Sequence, residues 1–219
     1  MAASYHIDTL EYSLQKMKED LLSRDLIPSR LPLKEGLESN FQILEGEGIQ
    51  TLGDLISALK NKKKIGEFSS ASGISEKYLT LLRREANSYL PNPVPLDKFS
   101  GFEEKDINKL AAAGVKNSRH LFEIMKENMG SGSLPAKFGV SQEFLFELAG
   151  LSDLVRAFGV GPAFARILYD TGIHSISEFR SYSPRQVIDL YENKTGKKAD
   201  FSTSDIKFSL ALVQVLDLG

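Results

Sequence analysis

Phe158-Gly159-Val160-Gly161, followed by Pro162 and Ala163, is the stretch whose residue types could do chemistry. Two glycines around one apolar residue let a backbone come close to a ligand. A helix that starts at Pro162 would aim its first free N–H groups at that ligand, and its dipole favours an anion. Proline at the first helical position suits the helix but removes one donor, which leaves Ala163 and Phe164 to give theirs. Arg156 and Arg166 flank the turn and could add charge-assisted contacts. No carboxylate lies between Asp153 and Asp170. The chemistry implied is the gripping of a phosphate, with Gly159, Val160, Gly161, Ala163, Arg156 and Arg166 as candidate contacts. The alternative is that the glycines only let two helices pack closely.

Other signals are weaker. His6, His120 and His174 are scattered, so no metal site is expected. The chain has no cysteine, which excludes disulfides, thiolate metal sites and a cysteine nucleophile. There is no Walker A loop, no GxSxG and no dinucleotide fingerprint, so no cofactor, small-molecule substrate or catalytic residue is expected. Lys60, Lys62, Lys63 and Lys64 form the densest basic run. The favoured reading is a helix C-terminus, where lysines offset the dipole; a nucleic-acid footprint is the alternative. Ser72-Gly73-Ile74-Ser75 before EKYLTLLRRE could open a DNA-reading helix that carries Lys77, Thr80, Arg83 and Arg84. Glu76 opposes that role, and a structural turn is expected.

The elements that position these residues repeat. Gly36-Leu37, Gly101-Phe102 and Gly159-Val160 each open a short helix, which ends in Gly48-Ile49, Gly114-Val115 or Gly172-Ile173. Glycine past a helix end fits the left-handed backbone of a C′ position. Three residues on stand Thr51, Asn117 and Ser175, each an N-cap candidate. Gly48 and Gly114 lie 66 residues apart, as do Gly73 and Gly139. In the first two copies Glu38 and Glu103 stand near the place of Gly161, and a carboxylate there repels a phosphate.

Strand signals are weak, so the chain reads as all-α, in tandem helix-hairpin-helix-like (SAM-like) repeats. Breaks are expected at SRDLIPSRLP, at YLPNPVPLD near Asn92 and at MGSGSLP. Ile7, Leu10, Leu14, Met17 and Leu21 recur at 3-4-3-4 spacing and predict one amphipathic helix. The expected organisation is an N-terminal amphipathic helix over 1–27, then units over 28–92, 93–151 and 152–219.

Bulk numbers bound the function. A chain of 219 residues holds one or two cores. A net charge of −2 argues against a general coater of nucleic acid. The segment from Ser152 onward has eight basic and eight acidic residues, so the best turn is not in a basic domain. MAASYHIDTLEYS lacks the basic and apolar regions of a signal peptide, and a cytoplasmic location is expected.

The Gly-hydrophobic turns, above all VGPAFARILYDTGI, resemble helix-hairpin-helix motifs. With DLIPSR, SGISEKYLTLLRRE and LSDLVRAFGVGPAFARIL, most of the chain resembles a bacterial family, the domain of unknown function numbered 4332. The resemblance implies a helical fold of the kind seen in DNA-repair and recombination proteins and assigns no activity. Two functions follow as expectations. The first is a non-catalytic binding or adaptor module for a protein partner or a second copy, with no membrane contact. The second is sequence-independent nucleic-acid binding through the third turn.

Overall fold

The computed structural model describes residues 4–128 and 132–216. Residues 129–131, inside the expected break MGSGSLP, lie outside the described residues, as do 1–3 and 217–219. Among the described residues thirteen α-helices form and no β-strand does. The chain divides into two compact units: Ile7–Leu90, and the stretch from Pro91 onward joined by residues 4–6. The first holds α1 (Leu14–Ser23), a 3₁₀ turn (Leu31–Lys34), α2 (Leu37–Gly46), α3 (Leu52–Ala58), α4 (Lys62–Ser72) and α5 (Glu76–Ser88). The second opens with a 3₁₀ turn (Leu96–Lys98), then α6 (Glu104–Ala112), α7 (Ser118–Glu127), α8 (Leu134–Phe138) and α9 (Gln142–Leu154). It continues with α10 (Pro162–Asp170), α11 (Ile176–Phe179), α12 (Pro184–Thr195) and α13 (Thr203–Gln214).

One turn geometry joins α2 to α3, α6 to α7 and α10 to α11. Gly48, Gly114 and Gly172 take φ of +86°, +88° and +96°, a left-handed backbone that a side chain would strain. The residue after each donates its N–H back into the helix: Ile49 to Leu44 O, Val115 to Leu110 O, Ile173 to Leu168 O, at 3.0, 2.9 and 3.0 Å. Ile49, Val115 and Ile173 are buried, so each turn is sealed by an apolar plug. Thr51, Asn117 and Ser175 then cap the next helix by accepting the N–H three residues on. A further bond recurs. The side chain of that third residue accepts the N–H just before the cap: Asp54 from Gln50, His120 from Lys116, Glu178 from His174.

The first two pairs also share a two-residue antiparallel bridge. Leu14 donates to Gln50 O and Leu52 to Tyr12 O, each at 2.8 Å. Leu96 donates to Lys116 O at 3.1 Å and Ser118 to Val94 O at 2.8 Å. In the third pair a side chain replaces the bridge, since Asp153 Oδ2 accepts from Ile176 N at 2.8 Å.

Two sequence expectations are corrected. The amphipathic helix does not span the 3-4-3-4 stripe. Ser13 caps it, so α1 begins at Leu14 and buries Leu14, Met17 and Leu21. Ile7 is buried outside the helix, and Leu10 is 67% exposed. A polar cap fixes a helix start more firmly than apolar spacing does. The basic run does not close a helix either. Asn61 caps α4, so Lys62, Lys63 and Lys64 lie in its first turn, against the dipole, and Glu67 pairs with Lys63 and Lys64.

Each unit buries charge with its partners. In the first, Glu85 is 3% exposed and accepts from Arg24 Nη1 at 2.7 Å and Arg30 Nε at 3.2 Å. Nearby Asp20 accepts from Tyr12 and Tyr89, and burial raises its carboxyl above the usual range. In the second, Arg156 is 2% exposed.

Candidate functional site

The third turn presents backbone but not basic side chains. Ala157 O accepts from Val160 N at 3.1 Å, which closes the turn, and Gly159 sits at φ +77°. Gly161 caps α10 in extended backbone and supplies no side-chain acceptor to the first-turn amides. Gly159, Gly161 and Ala163 are exposed, and Val160 is buried.

The two flanking arginines are committed elsewhere. Arg156 Nε donates to Tyr5 O at 3.1 Å and Nη2 to Ser4 O at 3.2 Å, while Nη1 pairs with Asp153. Its guanidinium centre lies 3.9 Å from the centroid of the Phe122 ring. A buried guanidinium is tolerated only when its donors are satisfied, and here they hold residues 4 and 5 on the unit. Arg166 pairs with Glu147 and Asp170 and lies 5.0 Å from the centre of the Tyr169 ring. Burial opposes its charge, but the two carboxylates outweigh that and raise its pKa above the ordinary value. Both arginines were candidate phosphate ligands; the structure turns both to carboxylates of this chain. Beside the turn lies a cleft of about 210 Å³ lined by Phe158, Val160, Phe164, Phe201, Ile206 and Asp205. Asp205, which caps α13 with Ser202, therefore puts a negative charge next to the turn.

A larger concavity lies on the second pair. An open groove of about 610 Å³ runs along α6. Leu96, Phe99, Ile107 and Val115 form its floor, and all four are buried. Phe102 and Ala111 form its walls; Phe102 is held edge-on to Phe144 with ring centres 5.3 Å apart. Glu104, Ile107, Asn108 and Ala111 follow helical spacing and so share one face of α6. The rim is charged, with Asp97 and Glu104 on it and Lys116 beside Val115. Among the described residues, Glu104 and Lys116 make no ion pair.

None of the groove residues was a sequence-level candidate. A signal was present: the first copy is preceded by an amphipathic helix, and the second only by YLPNPVPLDKF.

Residues 100–204 match the family model described as Domain of unknown function (DUF4332), a span that includes most of α6's groove face and the third turn. No curated protein and no solved structure matches the sequence.

Proposed function

We propose, from a chain that belongs to this family through residues 100–204, that the protein is a non-catalytic helical module that docks another protein. The observation that carries this reading is the groove on α6, apolar at its floor and charged at its rim. An open concavity with an apolar floor and a polar rim has the anatomy of a protein-binding site. A cytoplasmic location fits a chain without cysteine. Among the described residues no helix is long and apolar enough to cross a membrane.

The test is a displayed-peptide selection on the full chain, counter-selected on Ala111→Trp, which fills the groove wall. Circular dichroism checks that the variant keeps its helices. Enriched peptides should bind the wild type and lose the variant. Peptides that bind both alike would remove the groove from the function.

Nucleic-acid backbone binding by the third turn is the second reading. Exposed Gly159, Gly161 and Ala163 favour it, because they leave amide donors open to an anion. The engaged arginines and Asp205 count against it. Fluorescence polarisation with labelled single- and double-stranded DNA and RNA, at rising salt, separates the readings. Protein docking predicts no binding that Gly161→Glu removes. Binding that falls steeply with salt and is lost in that variant would put the second reading first.

A further inference from the structure

Residues 4–6 belong to the second unit, although the whole first unit, Ile7–Leu90, separates them from the rest of it. Among the described residues no backbone–backbone hydrogen bond involves Ser4, Tyr5 or His6. Side chains hold this arm instead. Arg156 Nε and Nη2 donate to the successive carbonyls of Tyr5 and Ser4, and the Tyr5 hydroxyl shares a hydrogen bond with Ser118 Oγ at 2.6 Å. The Tyr5 ring meets the Phe122 ring edge-on, with centres 5.7 Å apart. His6 Nε2 donates to Pro91 O at 2.8 Å. Tyr5, Ser118 and Arg156 are each at most 2% exposed, so the tyrosine fills a socket.

The socket has supports of its own. Ser118 Oγ accepts from Val94 N at 2.9 Å, Asp153 pairs with Arg156, and α7, which carries Ser118 and Phe122, packs on α9. Ser118, Phe122, Asp153 and Arg156 all lie within the matched residues 100–204, and the arm lies outside them. The socket is thus part of the family domain, and its occupant is a separate piece of chain. Its selectivity is for one tyrosine, since the other two contacts of Arg156 with the arm are to backbone carbonyls that any residue offers.

We infer that residues 4–6 are an exchangeable arm, and that the Ser118–Phe122–Arg156 socket takes the same arm from a second copy of this chain when its own is released. Exchange remakes every contact with identical groups, which makes it a low-cost route to a dimer. The chain's own arm wins at micromolar protein, because covalent attachment holds it at an effective concentration of about millimolar. The socket shares no residue with the groove on α6, so this inference and the docking reading fail separately.

The experiment uses the full chain and a peptide of residues 1–9 with fluorescein at its C-terminal end, read by fluorescence polarisation. Tyr5→Ala weakens the competing arm, so this variant should bind the peptide saturably and at least about tenfold more tightly than wild type does. The peptide that carries Tyr5→Ala should not bind. A second arm mixes two full-length variants, Tyr5→Ala with an intact socket and Arg156→Gln with an intact arm. Sedimentation velocity should show each alone as a monomer and the mixture as a dimer. Circular dichroism checks that the variants keep their helices. Tyr5→Phe, which loses only the Ser118 bond, gives the same order in smaller steps if Tyr5→Ala does not fold. No binding by the folded variants, or equal binding of the peptides with and without the tyrosine, would overturn the inference and make residues 4–6 fixed core. Peptide binding without a dimer in the mixture would overturn the second copy as occupant.

Discussion

The first and second helix pairs share their turn, bridge and cap, yet the helix α1 packs on the first, and a single 3₁₀ turn leads into the second. The approach segments differ by 16 residues, since Leu14 lies 34 residues before Gly48 and Leu96 lies 18 before Gly114, yet the turn hydrogen bonds are the same. In the first pair α1 is part of the core, with Leu14, Met17 and Leu21 at most 1% exposed. In the second, the floor is buried by its own neighbours, and only Phe102 and Ala111 stand as partly exposed walls.

Removing core contacts on each side should break that comparison most visibly. Met17 is fully buried against the first pair, so Met17→Ala should cost about 2–5 kcal/mol through lost burial and a residual cavity. Phe102→Ala, on the half-open groove wall, should cost about 1 kcal/mol. Urea unfolding of the two variants gives both numbers. Equal costs would mean that the groove wall is core, and the groove would lose its standing as a docking surface.

The turn glycines should show the opposite, a shared cost. Gly48, Gly114 and Gly172 each have left-handed φ, and a Cβ at any of them would meet nothing within 4 Å. Alanine there should cost about 1–2 kcal/mol from backbone strain alone, alike in all three. Gly161→Ala should cost far less, because its φ is −83° and its surroundings are equally open. A thermal-melt series reads all four, and a spread among the first three beyond the error would refute one common turn.

These glycines were legible in the sequence because their constraint is local. The same holds for Thr51, Asn117 and Ser175, whose capping role needs only a hydroxyl or amide before an amphipathic run. The all-α class followed from the same signals. Arg156 was legible as a charge near a turn, but its direction is set by the carbonyls of Ser4 and Tyr5, about 150 residues earlier. The lysine run was misplaced because Asn61 starts a helix there, and three lysines at an N-terminus oppose the usual charge preference. The groove was invisible for a further reason: its floor of Leu96, Phe99, Ile107 and Val115 is buried and reads as core.

The smallest predicted effect concerns the cap, where the pairs differ by one residue type. Asp54 accepts from Gln50 and Thr51, and those hydrogen bonds, led by the Thr51 hydroxyl, lower its pKa below the ordinary value. A carboxyl lowered in the folded state adds stability at pH above its unfolded value, about 4, and that stability is lost as pH falls through the lowered value. His120 holds the matching place in the second pair and accepts only the Lys116 amide, at 3.4 Å. His120→Asp should thus give the second pair the reciprocal cap of the first. The expected gain is about 0.5–1 kcal/mol at neutral pH, from a carboxylate at a helix N-terminus and a shorter bond. Chemical denaturation of His120→Asp beside His120→Asn, whose side chain does not titrate, at pH 7 and pH 3 checks both parts, since the advantage of Asp over Asn should shrink in acid. An advantage that is the same at both pH values would not come from the carboxylate, and the two caps would then not be equivalent.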